Sequence, residues 1–239
     1  VPLIWKLLDK RGNSSQEERM DLIGKLLKIP NLPKIKTIIG DREFVGTKWF
    51  KYLKNNNIGI LFRIRDNQYA KRYNKQYKVS TIIKGNTRKG CQCNGKQYWM
   101  DDVQVYIHGF RYKNGEGKID NLIVASFERE TKVSEAYSNR WFIESMFKNF
   151  KTNGFNMEDT HITNLDRLET LFGLLTLGYI CAINAGKILM REKPELFKIS
   201  SNGRPKLSIF RAGIDDLMNI LLNGVVKRFN LIFKFLSCA

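Results

Sequence analysis

Residues 35–65 read IKTIIGDREFVGTKWFKYLKNNNIGILFRIR, and their pattern decides the fold. Ile35 to Gly40 is short, β-branched and compact, the composition of a strand, and it delivers Asp41 at its carboxyl end. Thr47 to Lys54 places Trp49, Phe50 and Leu53 at helical spacing, and Asn55-Asn56-Asn57 ends the helix. Ile58, Ile60, Phe62 and Ile64 then alternate with Gly59, Leu61, Arg63 and Arg65, a second strand. Strand, helix, strand is the rhythm of an α/β sheet.

Working outward, Ser15-Gln16-Glu17-Glu18 has the capping-box form, and Met20, Ile23, Leu26 and Leu27 continue a helix over residues 15–28 until Pro30. Leu3 to Leu8 reads as a strand followed by turn residues. From residue 66 to 118 Lys, Arg, Tyr, Asn and Gly dominate, with β-like pieces at Tyr98 to Met100 and Val103 to Tyr112. This is a basic β-rich insertion, to which Lys71, Arg72, Lys75, Lys78, Lys84, Arg88 and Lys89 contribute charge. Leu122 to Ser126 restores a core strand and Lys132 to Lys151 a helix. Leu165 to Met190 is a buried core helix, because its apolar stretch Leu171 to Ala185 falls short of the roughly 18 to 20 residues needed to span a bilayer. Ile209 to Leu222 is helical. The four segments are therefore 1–65 and 119–192 as the two parts of a core, 66–118 as the insertion, and 193–239 as a helical tail.

The chain has 239 residues, of which 43% are apolar, enough for a globular core. Lys and Arg number 41 against 23 for Asp and Glu, a formal charge of +18, which points to a polyanionic partner, nucleic acid first. Four cysteines, Cys91, Cys93, Cys181 and Cys238, are too few and scattered for a disulfide framework and suit a reducing cytoplasm. Cys91-x-Cys93, with His108 or His161, lacks the paired spacing of structural zinc. Asp101-Asp102 and Glu158-Asp159 read as exposed loop carboxylates. Tyr98 and Trp99 read first as packing residues of the β-layer and second as platforms for an unpaired base. The opening residues, from Val1 to Lys6, do not form a secretory leader.

Residues 137–151 carry the strongest signal, Tyr-Ser-Asn-Arg-Trp-Phe-Ile-Glu-Ser-Met-Phe-Lys-Asn-Phe-Lys. On one straight helix, with Tyr137 at zero, Arg140 falls near 300°, Glu144 near 340°, Lys148 near 20° and Lys151 near 320°, all in about one stripe. Phe142, Ile143, Met146, Phe147 and Phe150 form the opposite face, which is expected to bury against a sheet. By spacing alone, Arg140, Glu144 and Lys148 would make i,i+4 ion pairs on a wet surface.

Tyr137-(2)-Arg140-(3)-Glu144-(6)-Lys151 resembles the signature of insertion-sequence DDE transposases, the group named for insertion sequence four. Trp5 to Asn13, Gly40 to Phe44 and Lys151 to His161 are similar to other blocks of that family, so the resemblance covers essentially the whole chain. It implies an α/β fold, an RNase H-like mixed sheet with flanking helices, interrupted by a β-rich insertion and followed by C-terminal helices. It also implies Asp41 as the second catalytic Asp and Glu144 as the catalytic Glu, both metal ligands. Tyr137, Arg140, Lys148 and Lys151 would hold DNA. Lys151 lies about 10.5 Å along the axis from Glu144, nearer a phosphate than the metal.

In function, the resemblance implies a transposase that cuts and joins double-stranded DNA at insertion-sequence ends and target, using Mg²⁺ or Mn²⁺, two ions in the complete site. The reaction would take place in the cytoplasm at the nucleoid, on a homodimer at paired ends and without a membrane. In the family the first Asp lies on the first strand and the second after the fourth. Counting back from Asp41 makes Leu3 to Leu8 the third strand, so the first strands are absent and the chain reads as truncated or decayed. The competing expectations are a non-catalytic DNA-binding remnant and an RNase H-like nuclease.

Overall fold

A computed structural model describes residues 2–86, 96–100, 102–113, 116–129, 132–152, 154–200 and 205–234. Arg88, Lys89, Cys91, Cys93, Asp101 and Cys238 lie outside the described residues. The chain divides into two compact units, residues 10–144 and residues 1–9 with 145–239.

In the first unit, helix α1 (Gln16–Leu27) opens on the expected capping box, with the Ser15 hydroxyl accepting from Glu18 N–H and the Glu18 carboxylate accepting from Ser15 N–H. Strand β1 (Thr37–Gly40) and strand β2 (Gly59–Arg63) run parallel, joined through helix α2 (Thr47–Asn55). Parallel neighbours require such a crossover. The sheet continues with β3 (Tyr69–Arg72), β4 (Lys75–Lys78), β5 (Lys96–Met100), β6 (Val103–Lys113) and β7 (Ile119–Ser126), in the order β1-β2-β7-β6-β5-β3-β4. Every pairing after β1–β2 is antiparallel. The strands of residues 66–118 thus extend the same sheet, because β7 pairs with both β2 and β6.

Alternation assigns the two faces of β2. Ile60, Phe62 and Ile64 pack with Trp49, Phe50 and Leu53 of α2 and with Ile82 and Ile83 of α3 (Val79–Asn86). Leu61 faces the other way, toward Val124 and toward Val133 and Tyr137 of α4 (Val133–Ser138). Helix α3 and the β3–β4 hairpin are additions to the elements expected from sequence. The hairpin turns on Tyr73 and Asn74, both at positive φ, a turn lacking the glycine signal that sequence reading looks for.

Three further expectations are corrected. Residues 3–8 form no strand. In the second unit Trp5 packs its indole on Phe172, 5.2 Å between ring centroids, so the apolar run serves a helix cluster. The helix expected over Lys132 to Lys151 is two helices, α4 and α5 (Trp141–Lys151), joined by an Asn139–Arg140 turn with i→i+3 hydrogen bonds. Val133 and Tyr137 bury on one side while Met146 and Phe150 would lie about 180° away on a straight helix, so two short helices satisfy two separate cores. Last, the apolar residues of α5 do not bury as one continuous face. Met146 and Phe150 join Phe172 in the second unit, whereas Phe142 and Ile143 are 69% and 52% exposed.

The second unit is built on α6 (Leu165–Glu192), α7 (Ile209–Asn223) and α8 (Val226–Phe233). At 28 residues α6 runs past the expected apolar stretch at both ends and is long and apolar enough to cross a membrane by length and composition. Here it carries Phe172, Cys181, Ala182, Ala185 and Gly186 into buried positions. A side chain on Gly213 would run into the Ala182 carbonyl, and one on Gly186 into the Ile209 carbonyl, so α6 and α7 meet backbone to backbone. Gly213→Ala is therefore expected to lower stability by about 1–3 kcal/mol, the usual cost of overpacking. Thermal unfolding checks this, and an unchanged midpoint would contradict the close crossing.

Candidate active site

The carboxyl end of β1 positions the first acidic group. Gly40 is the last residue of the strand, and a Cβ there would lie 2.9 Å from Phe44 and 3.0 Å from Phe62. With glycine, Phe44 closes over Phe62 and the chain turns at once into a 3₁₀ turn, Arg42–Phe44. Asp41 caps that turn, its Oδ1 accepting from Arg42 N–H at 2.8 Å. This leaves Oδ2 for a second partner.

Arg140 gathers two carboxylates. Its Nη1 donates to Glu144 Oε1 at 2.6 Å and lies 3.8 Å from Asp41 Oδ2. Taking both legs from one nitrogen, the two oxygens are at most about 6.4 Å apart, short of the roughly 8 Å beyond which two carboxylates no longer share a divalent ion or close ion pair. Residues far apart in sequence therefore meet at the carboxyl end of the parallel pair, where open α/β sheets place their sites. Of the i,i+4 ion pairs anticipated from spacing, Arg140–Glu144 is formed, and Asp41 makes it a three-membered cluster.

Tyr137 stands under this cluster and not on a wet stripe. It is 5% exposed, with the Arg140 guanidinium carbon 5.6 Å from its ring centroid. Burial pushes its phenol above the usual range, with the Asp41 charge adding to the rise and the Arg140 and Arg63 charges opposing it. For Arg140, burial alone would lower the pKa. The hydrogen bond to Glu144 and the charges of Tyr137, Glu144 and Asp41 outweigh it, so the guanidinium is held above its ordinary value.

Sequence reasoning missed Arg63, Tyr112 and Asp120 on the same sheet face. Arg63 Nη2 lies 3.9 Å from Asp120 Oδ2, and the Tyr112 hydroxyl donates to that oxygen at 2.9 Å. The Asn121 N–H hydrogen bond, helped by Tyr112 and by the Arg63 and Arg42 charges, holds Asp120 below the usual carboxylate range despite partial burial. The available signal was alternation: Arg63 shares the side of Leu61, the face on which Tyr137 packs. Lys148 and Lys151 belong to the second unit, where Lys151 pairs with Glu158 at 3.1 Å. Glu158 is thus an ion-pair partner, as an exposed carboxylate would be. Asp102 pairs with Lys51. His108 is fully buried, its Nε2 2.9 Å from the Ser126 hydroxyl. Tyr98 is buried and Trp99 is 50% exposed.

Carboxylate oxygens are the hard donors that Mg²⁺ and Mn²⁺ prefer. Asp41 and Glu144 could supply two, with the Arg140 guanidinium occupying the space between them. No group of three or more His, Cys, Asp or Glu placed to hold a metal occurs among the described residues.

Residues 3–181 match the transposase DDE domain family. No curated protein matches the chain. The matched span contains the parallel β1–β2 pair, the Asp41–Arg140–Glu144 cluster and both signature helices, and the seven-stranded mixed sheet with flanking helices agrees with the RNase H-like domain expected of such enzymes. The chain belongs to the transposase DDE domain family.

Proposed function

We propose that this chain is an insertion-sequence transposase of the Tyr-Arg-Glu-Lys class that binds element ends and cuts and joins DNA phosphodiesters, with Asp41 and Glu144 as metal ligands. The observation that carries the reading is the bridging of Asp41 and Glu144 by one arginine at the end of a parallel strand pair. Divalent ions held there would activate water or a 3′-hydroxyl and stabilise the leaving oxygen of an in-line displacement. Arg140, drawn from between the carboxylates, would turn to a phosphate, and Tyr137 would fix its starting position. Lys148 and Lys151 would contact the backbone farther along the helix. The basic strands of residues 66–118 would add phosphate contacts, and paired ends would be held on a homodimer at the nucleoid.

On this reading Asp41 and Glu144 are two of the three carboxylates that the family's metal site uses. Among the described residues β1 is the end strand of the sheet, and Trp141, Phe142 and Ile143 are three consecutive apolar residues left 66%, 69% and 52% exposed. Proteins ordinarily cover an open strand edge and a run of exposed apolar side chains.

Because Arg140 repels a cation that approaches Asp41 and Glu144, Arg140→Gln should tighten Mn²⁺ binding about three- to tenfold while weakening DNA binding. Titration followed by electron paramagnetic resonance reads the first effect, and unchanged or weaker Mn²⁺ affinity would contradict the shared site. The unmodified chain, incubated with element-end DNA and Mg²⁺ or Mn²⁺, should bind without cleaving. Cleavage that disappears in Glu144→Gln would mean that the catalytic set is complete within these residues.

A further inference from the structure

At the amino-terminal ends of β1 and β2, opposite Asp41, a groove of about 690 Å³ opens among Lys34, Lys36, Lys54, Asn57, Phe127 and Glu128. Thr37 and Gly59 are register partners at this end, and about 10 Å of strand separates it from the carboxyl end where Asp41 stands. The groove is therefore separate from the carboxylate cluster and lies wholly within the first unit.

Its lysines differ from three others on α1 and α2. Lys25 pairs with Asp21 at 3.2 Å, Lys48 with Glu17 at 3.0 Å and Lys51 with Asp102 at 3.7 Å. Lys34, Lys36 and Lys54 have no such ion pair among the described residues, and Glu128 is the one acidic residue among those lining the groove. Along α2, Lys48 and Lys51 each have a carboxylate partner, and the lysine left with an open charge is Lys54, which lines the groove. Gathering three unpaired cations around a concavity costs Coulomb energy in the free protein, and a polyanion laid across it reverses the sign. Three spaced ammonium groups and an amide suit phosphate oxygens along a backbone, which position a duplex without reading its bases.

We propose that this groove is a second DNA contact, gripping the phosphodiester backbone of duplex DNA at the end of the strands away from Asp41 and Glu144. The assignment rests on the DNA-acting reading above. The test uses the full chain and fluorescence anisotropy of a labelled duplex at several salt concentrations. Each lost phosphate contact lowers the slope of log affinity against log salt by about 0.9. The triple variant Lys34→Gln, Lys36→Gln, Lys54→Gln should therefore lose about 2 to 3 from the slope, and Lys→Arg at the same positions should keep it. Neutralising Lys25, Lys48 and Lys118, which already have carboxylate partners, makes the same change in net charge and should alter the slope less than half as much. If the groove variant keeps the full slope while the unmodified chain binds, the groove assignment is wrong and the DNA reading stands. If the unmodified chain shows no salt-dependent DNA binding, both fail. Loss of polyglutamate binding in the groove variant, with DNA binding unaffected, would assign the surface to an acidic protein and overturn the proposal.

Discussion

Arg140 is one guanidinium facing two carboxylates, and the first unit is arranged around that contact. Its side chain is 22% exposed, while Asp41 and Glu144 are 42% and 50% exposed. Ion pairs so close to water contribute little to stability, on the order of 1 kcal/mol or less. The contact matters for geometry. It requires a strand that stops at Gly40, a turn capped by Asp41, and a helix break that places Arg140 between the buried Tyr137 and the start of α5. A straight helix from residue 132 to 151 could not bury Val133 and Tyr137 while also burying Met146 and Phe150, which lie on its opposite side.

Much of this was legible because it depends on local periodicity. The alternation of Ile58, Ile60, Phe62 and Ile64 marks a strand with one deeply buried face, and the Ser15–Glu18 box marks the start of α1 to within a residue. Asp41 could be placed at a strand end because β-branched residues run directly into it. Its meeting with Glu144 came from the family resemblance and could not come from periodicity, since nothing local links the two positions. The features that stayed hidden depend on tertiary competition. Leu3 to Leu8 is apolar enough for a strand, yet Trp5 finds a partner in Phe172. Tyr137 has the spacing of a stripe residue, but the hydrophobic gain of its ring under the sheet prevails. Arg63 and Asp120 become neighbours only through the β2–β7–β6 pairing, which no short-range pattern encodes.

The charge of +18 is also unevenly used. At the carboxyl end of β1 and β2, cations and carboxylates alternate, Arg63 with Asp120 and Arg140 with Asp41 and Glu144. At the amino-terminal end, Lys34, Lys36 and Lys54 stand around a groove whose lining has a single acidic residue among the described residues. A balanced site lets a cation compete for the carboxylates, and a surplus of positive charge favours long-range capture of a polyanion. Both properties suit a protein that acts on DNA phosphodiesters with divalent ions.

If Asp41 and Glu144 form one metal site that Arg140 fills in the free protein, anomalous scattering from a crystal soaked in Mn²⁺ reads it most directly. A manganese peak is then expected within about 2.0–2.6 Å of carboxylate oxygens from both Asp41 and Glu144, with the Arg140 guanidinium displaced from between them. Manganese bound at other carboxylates, with the Asp41–Arg140–Glu144 cluster unchanged, would contradict it.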